Sequence, residues 1–187
     1  MGDKLNIYKT KFEGLYIIES VVHGDDRGSF SRVFCEDEFS DILDGERIKQ
    51  INHSVTERKG TVRGMHFQYE PDTEIKIIKC IKGRVFDVVV DIRKDSKTFL
   101  KTFSIELSEK NRVMIYIPKG FAHGFQTLED NTELLYLHTN VYSPNNEGAL
   151  NIRDSLLSIN FPLDIINLSK KDSEHKLIGK DFRGIEV

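Results

Sequence analysis

The sequence predicts an all-β domain, and three observations carry that expectation. Short runs rich in β-branched and aromatic residues recur along the chain. Clusters of turn-forming residues separate them. Helical signals are confined to two brief stretches, near residues 35–43 and 168–177. At 187 residues the chain has the length of one domain with a substantial core. No repeat, low-complexity tract or linker divides it, so a single domain over residues 1–187 is expected.

The predicted strands run over Gly14–Val22, Ser29–Cys35, Lys76–Ile81, Arg84–Ile92, Phe99–Leu107, Arg112–Pro118 and Glu133–Tyr142. Turns fall at Gly24–Gly28, Lys82-Gly83, Asp95–Lys97, Glu109–Asn111 and Ser143–Asn146. This spacing fits a sandwich or barrel. Arg84–Ile92 alternates only partly, as expected of a strand buried on both faces or lying between two sheets. Phe99–Leu107 alternates better and predicts one polar face. Cys35–Leu43 has the length of two helical turns. Ser169 is placed to cap a short helix between Leu168 and Leu177. The last residues, from Gly179 onward, read as a peripheral tail.

Composition excludes several classes. Hydrophobic residues at 39% and charged residues at 30% describe a soluble globular chain, and a net charge of -3 leaves no basic footprint for nucleic acid. No apolar run approaches the length of a membrane span. The first fourteen residues lack the apolar core of a signal peptide, which predicts a cytoplasmic protein. Cys35 and Cys80 are too few for a disulfide framework and read as small buried residues in a reducing compartment.

Three segments combine polar side chains with Gly and aromatics: Gln50–Ser54, Arg63–Gln68 and Pro118–Phe125. Such segments point reactive groups into the mouth of a barrel. Pro118-Lys119-Gly120-Phe121-Ala122-His123 is similar to the second metal-binding motif of cupins. The His-x-His pair of the first cupin motif is missing, since only His66 stands there, followed by Phe67 and Gln68. A catalytic metal needs about three protein ligands, so a site of His53, His66 and His123 is the minority reading, and no metal is expected. His66 suits a general base. Arg63, His66 and Lys76 in one pocket would fit an anionic substrate and a developing oxyanion, although solvated surface charges fit the spacing equally well. His23, His138 and His175 read as architectural, and His53 as more structural than functional. There is no P-loop, nucleophile elbow, CxxC pair or dinucleotide fingerprint.

Taken in order, several pieces carry a resemblance. They are Asp26-Arg27-Gly28-Ser29-Phe30, Gln50–Ser54, Arg63–Gln68, Asp87–Arg93, Ile117–Phe125 and Leu168–Asp172. From about Asp25 to Asp172 the chain resembles the dTDP-4-dehydrorhamnose 3,5-epimerase family of cupin-like sugar epimerases. The resemblance implies a jelly-roll β-barrel with a few short peripheral helices and no metal or cofactor. It also implies a homodimer in which an N-terminal segment of one subunit helps close the other's site. The implied substrate is a nucleotide-diphospho-4-keto sugar. His66 is implied as the base beside the 4-keto group, Asp172 as its orienting partner, Tyr136 as the opposite-face acid and Lys76 as the group stabilising the enolate oxygen. His123 is implied as a neighbour of the sugar, Arg27 and Arg63 as diphosphate contacts, and Phe30, Gln50 and Asn52 as part of the nucleotide pocket. Lys171, within the Leu168–Asp172 piece, joins the substrate-binding set. The chemistry agrees: inverting a carbon beside a ketone removes a proton on one face and returns one on the other, which two groups do better than one.

Two departures stand out. The family usually carries a Glu two positions after the Phe of the Arg-Gly-x-Phe piece, where it accepts a hydrogen bond from thymine, and Arg32 stands here. Arginine has no acceptor, so the expectation is a base other than thymine, with guanine ahead of cytosine. An Arg32 turned to solvent or phosphate would say nothing about the base. The second departure is Asn151–Asp154, where the family more often has a Trp before its Asn-Asp pair. The rival functions are inversion at carbon 3 or carbon 5 alone, a non-catalytic sugar-nucleotide-binding cupin, and a metal-dependent cupin enzyme. The sugar is a 6-deoxyhexose or a 6-deoxyheptose.

Overall fold

The computed structural model describes residues 4–187. In chain order the elements are β1 (Leu5–Lys9), β2 (Tyr16–Ser20), β3 (Val22–Asp25), β4 (Gly28–Ser31), α1 (Glu36–Leu43), β5 (Gln50–Thr56), β6 (Thr61–Gln68), β7 (Lys76–Lys82), β8 (Arg84–Asp91), β9 (Thr102–Ser108), β10 (Val113–Ile117), β11 (Phe121–Thr127), β12 (Thr132–His138), β13 (Glu147–Ala149), β14 (Asn167–Leu168) and α2 (Lys170–Ser173). Two sheets form, one in the order β1-β2-β10-β7-β12-β5 and the other β13-β6-β11-β8-β9, with β14 parallel to β6. A separate hairpin joins β3 to β4. Among the described residues no helix is long and apolar enough to cross a membrane.

Strand periodicity explains the packing. Successive side chains alternate between faces, and here the central strands of each sheet are covered on both faces. Between the sheets lie Ile78, Cys80, Val85, Val89, Ile115, Phe121, Phe125 and Leu134. Val88, Val90, Met65, Phe67 and Ala122 face outward from the second sheet under Leu150, Ile152, Leu157 and Ile185. Ile18, Ile77, Met114 and Leu137 face outward from the first sheet under Phe39 and Leu43 of α1. This double coverage is why Arg84–Ile92 has no polar face. The two inner-face sets share a parity within each strand: 78 and 80 on β7, 85 and 89 on β8, 121 and 125 on β11.

The helix at 36–43 forms as expected. Its first turn carries Glu36, Asp37 and Glu38 against the positive end of the helix dipole, and Asp44 ends it in a left-handed conformation, φ 47°, with its N–H on the Ser40 carbonyl. The second helix is shorter than the stretch 168–177. Ser169 caps it, accepting from the Asp172 N–H at 3.0 Å, but it ends at Ser173. Beyond it the chain turns inward, and Ile178 donates its N–H to Asp154. The expected peripheral tail is instead stitched to the barrel. Ile185 is buried, exchanges backbone hydrogen bonds with Ile92 and Lys94, and bridges Arg93. The strand expected over Ser29–Cys35 stops at Ser31, because Val33 and Phe34 turn in to pack beside α1. The strand expected from Phe99 starts at Thr102, after Leu100 at φ 57°.

Candidate active site

The same alternation that fills one end of the barrel with apolar side chains lines the other end with polar ones. On β5, Gln50, Asn52 and Ser54 point inward; on β7, Lys76; on β11, His123; on β12, Tyr136 and His138. Each has the inner-face parity of its strand. Together with Arg63, His66, Glu74, Tyr142, Glu147, Lys171 and Asp172 they surround a cavity of about 560 Å³. The polar segments singled out in the sequence are therefore strands themselves.

Arg63 and His66 both reach this cavity although they are three residues apart. In a regular strand such a spacing puts two side chains on opposite faces. The pairing of β6 with β11 shifts register between His123 and Phe125, opposite Gly64. Gly64 has φ +122°, and a Cβ there would lie 2.5 Å from the Gly124 Cα. Only glycine fits such a conformation and approach.

His66 Nε2 lies 2.7 Å from Asp172 Oδ1. The carboxylate is an acceptor, so it selects the imidazole tautomer with hydrogen on Nε2 and leaves Nδ1 as the basic nitrogen. Burial alone would raise the Asp172 carboxyl. The hydrogen bond and charge of His66, with further donors from Ser169 and the Gly64 backbone, outweigh it and hold the group below the usual carboxylate value. Asp172 is thus an ionised anchor. The His66 ring stays about one-third exposed, open to a ligand.

Tyr136 projects from the opposite sheet. Its ring stacks on His138, at 6.0 Å and 11°, and meets His123 edge-on. Ser54 donates its hydroxyl to the phenol oxygen at 3.4 Å. Burial pushes the phenol well above its usual value, so it holds its proton. Lys76 Nζ sits 3.2 Å from Glu74 Oε1, while Glu74 Oε2 accepts from His138 Nδ1 at 2.8 Å. His138 Nε2 is then free to accept from Asn52 Nδ2 at 3.4 Å. Burial opposes the charge of Glu74, but these partners outweigh it and lower the carboxyl. His123 Nε2 pairs with the fully buried Asp87 at 2.8 Å. Burial raises the Asp87 carboxyl despite His123. Three histidine–carboxylate pairs thus face one cavity or brace its wall.

A family model described as dTDP-4-dehydrorhamnose 3,5-epimerase matches residues 9–180. The dTDP-4-dehydrorhamnose 3,5-epimerase of Shigella flexneri is 39% identical over 181 residues, covering 95% of this chain and 99% of its own. The chain belongs to the dTDP-4-dehydrorhamnose 3,5-epimerase family. Its members are isomerases acting on carbohydrates, and the fold is their cupin jelly roll. The dTDP-6-deoxy-D-glucose-3,5-epimerase of Legionella pneumophila, solved with dTDP-4-keto-L-rhamnose, is 38% identical with a TM-score of 0.88 over 92% of each chain. A 3'-monoepimerase from Streptomyces bikiniensis, solved with dTDP-quinovose, is 30% identical with a TM-score of 0.83, covering 90% of this chain and 85% of its own.

Within this family frame, the cavity gathers nine of the residues singled out in the sequence: His66, Tyr136, Asp172, Lys76, Gln50, Asn52, Arg63, His123 and Lys171. Three others lie outside it. Arg27 and Phe30 sit on the β3–β4 hairpin, Arg27 paired with Asp25 and Phe30 75% exposed. Arg32 donates to Glu38, in the first turn of α1. The histidine trio of the minority metal reading does not assemble. His53 points out from the other face of β5 to Glu133, while His66 and His123 are cross-strand neighbours. His138 and His175, read as architectural, stand respectively in the cavity wall and beside the His66–Asp172 pair. Glu74, Ser54, Tyr142 and Glu147 were not singled out for roles. For Glu74 and Ser54 the signal was parity, since 74 alternates with Lys76 and 54 with Asn52.

Proposed function

We propose that the chain inverts carbons 3 and 5 of a dTDP-linked 4-keto-6-deoxy sugar without a cofactor. One observation carries this reading: His66 and Tyr136 come from opposite sheets and line one cavity. A sugar ring lying between them would meet a base on one face and an acid on the other. His66 Nδ1 removes the proton beside the ketone, with Asp172 stabilising the imidazolium that forms. Negative charge moves to the carbonyl oxygen, where the Lys76 ammonium stabilises it. Tyr136 returns a proton to the carbon from the other side. His66 then releases its proton to solvent and Tyr136 regains one from solvent, and the cycle repeats at the second carbon.

Arg63 and Lys171 would hold the diphosphate, His123 the sugar, and Gln50 and Asn52 the nucleoside end. Arg27 and Phe30 fit the reading through a second copy of the chain, whose exposed hairpin would reach across a homodimer to close the nucleotide pocket. Pairing with Glu38 engages Arg32 through Nη1 and draws the guanidinium toward α1, which weakens the ground for preferring guanine, and thymine, the base named in the ligands of the relatives, is proposed. Inversion at a single carbon is the second reading, because a 3'-monoepimerase shares the fold.

Activity against 4-keto sugars on dTDP, CDP and GDP, run in heavy water and followed by NMR, tests these points together. Deuterium entering at both carbons of the dTDP sugar is expected. Entry at one carbon selects the single-position reading, and none would sink the enzyme. His66→Asn is expected to bind dTDP and stop exchange, and continued exchange would remove His66 as the base.

A further inference from the structure

We propose that His66, Asp172 and His175 form a binding site for a zinc-class divalent cation, and that the ion inhibits by occupying the base. Two independent observations meet here. The first is the donor set. One ligand atom from each of the three residues lies within 4.8 Å of the others, with His66 Nε2 at 2.7 Å and His175 Nε2 at 3.9 Å from the same Asp172 oxygen. Two imidazoles and a carboxylate are a recurring zinc donor set. Ion–ligand bonds of about 2.0–2.2 Å in a tetrahedral site need donors roughly 3.3–3.6 Å apart, a modest opening of one pair and closing of the others.

The second observation is His175 itself. Its Nε2 is buried and has no hydrogen-bond partner among the described residues. Buried polar atoms nearly always have one, and nothing in the reaction requires this residue. The chain is held in place at His175, because Asn151 donates its amide to the His175 carbonyl. The ring meets His66 edge-on at 6.5 Å. A cation on the three donors would give the orphaned nitrogen its partner. Nor does the neighbouring positive charge oppose it, since Lys171 is neutralised by Glu147.

Coordination through His66 Nε2 leaves the ring's hydrogen on Nδ1, the nitrogen that would take the substrate proton. A ligated His66 therefore has no basic nitrogen. The inhibitory consequence rests on His66 being the base; the binding does not.

Chelator-stripped full-length protein titrated calorimetrically with ZnCl2 is expected to bind one ion at this site. Proton exchange on the sugar should fall with occupancy and return with EDTA. His175→Ala, and His175→Gln as a polar alternative should the first fold poorly, are expected to weaken zinc binding by more than the roughly tenfold that losing even an outer-shell partner of a ligand costs. Both should keep exchange in the absence of zinc. His66→Asn should also lose the ion. The site is overturned if the wild type takes up no zinc, or if both His175 variants bind it as the wild type does. Zinc bound at the site of a protein that exchanges no sugar proton would refute the proposed function and leave the site standing.

Discussion

Lys76 and Glu74 form an ion pair at 3.2 Å inside the cavity, both side chains almost completely buried. Glu74 is also the acceptor for His138, so one carboxylate fixes both an ammonium and an imidazole. Glu74→Gln keeps the shape and removes the charge. Turnover is expected to fall by roughly one to two orders of magnitude, the scale of a misplaced charge-stabilising group, with KM little changed. In a double-mutant cycle with Lys76→Ala, the second substitution should add almost nothing. Additive losses would mean that Glu74 does not act through Lys76.

Asp172 fixes the tautomer of His66, and Asp172→Asn presents an amide that can hold the ring the wrong way round. Turnover is expected to drop by about 10³–10⁴-fold, as in other histidine–carboxylate dyads, while dTDP binding persists. Because its folded-state carboxyl is lowered from 3.8, the wild type's advantage in stability is present above that value. It is lost as the pH falls further, through the lower folded value. Denaturant titrations of both proteins at several acidic pH values check this. A gap that widened toward acid would refute it.

Cys80 is buried between the sheets, and burial pushes its thiol from 9.0 to about 11. A raised value means that the folded state holds the proton longer. Its stabilising contribution is complete below pH 9 and lost as the pH rises toward 11, on the order of 2–3 kcal/mol in all. Cys80→Ala should flatten that part of the alkaline stability curve. In the native protein at pH 8 a thiol reagent is expected to leave Cys80 unmodified, which mass spectrometry of digested protein would show.

Gly64→Ala places a Cβ 2.5 Å from the Gly124 Cα at a φ of +122°. A loss of roughly 2–4 kcal/mol is expected from the strain and the forced separation of β6 and β11. Any folded fraction should have displaced His66 or Arg63. Wild-type turnover and melting in this variant would show that the register shift does not need glycine.

The apolar strands were legible because β-branched and aromatic side chains mark them: β2, β8 and β10 fall within expected runs, and β7 and β12 each overrun theirs by one residue at one end. The strands β5, β6 and β11 were not, because Asn52, His53, Gly64, His66, His123 and Gly124 are poor strand formers locally. They stay extended because neighbouring strands hydrogen-bond them and the cavity accepts their polar groups, a tertiary cause that a window of sequence does not contain. The motif residues were legible as chemistry, yet their convergence was not. Arg63 and His66 share a face only through the register shift, and Arg32 finds Glu38 only once α1 has formed. Glu74 and His138 escaped because neither sits in a motif; they meet by cross-strand placement alone.

The shift at Gly64 also changes how β6 tolerates alteration. It divides the strand into two segments with independent phase, one carrying Arg63 and the other His66. Deleting this single residue would restore an uninterrupted ladder and still leave a continuous strand. Arg63 and His66 would then stand two residues apart and, by plain alternation, would both still face the cavity, with Met65 outward between them. A shortened β6 of this kind would keep its anion contact and its base on one side, so the extra residue serves the local bend and spacing of the strand rather than the choice of face.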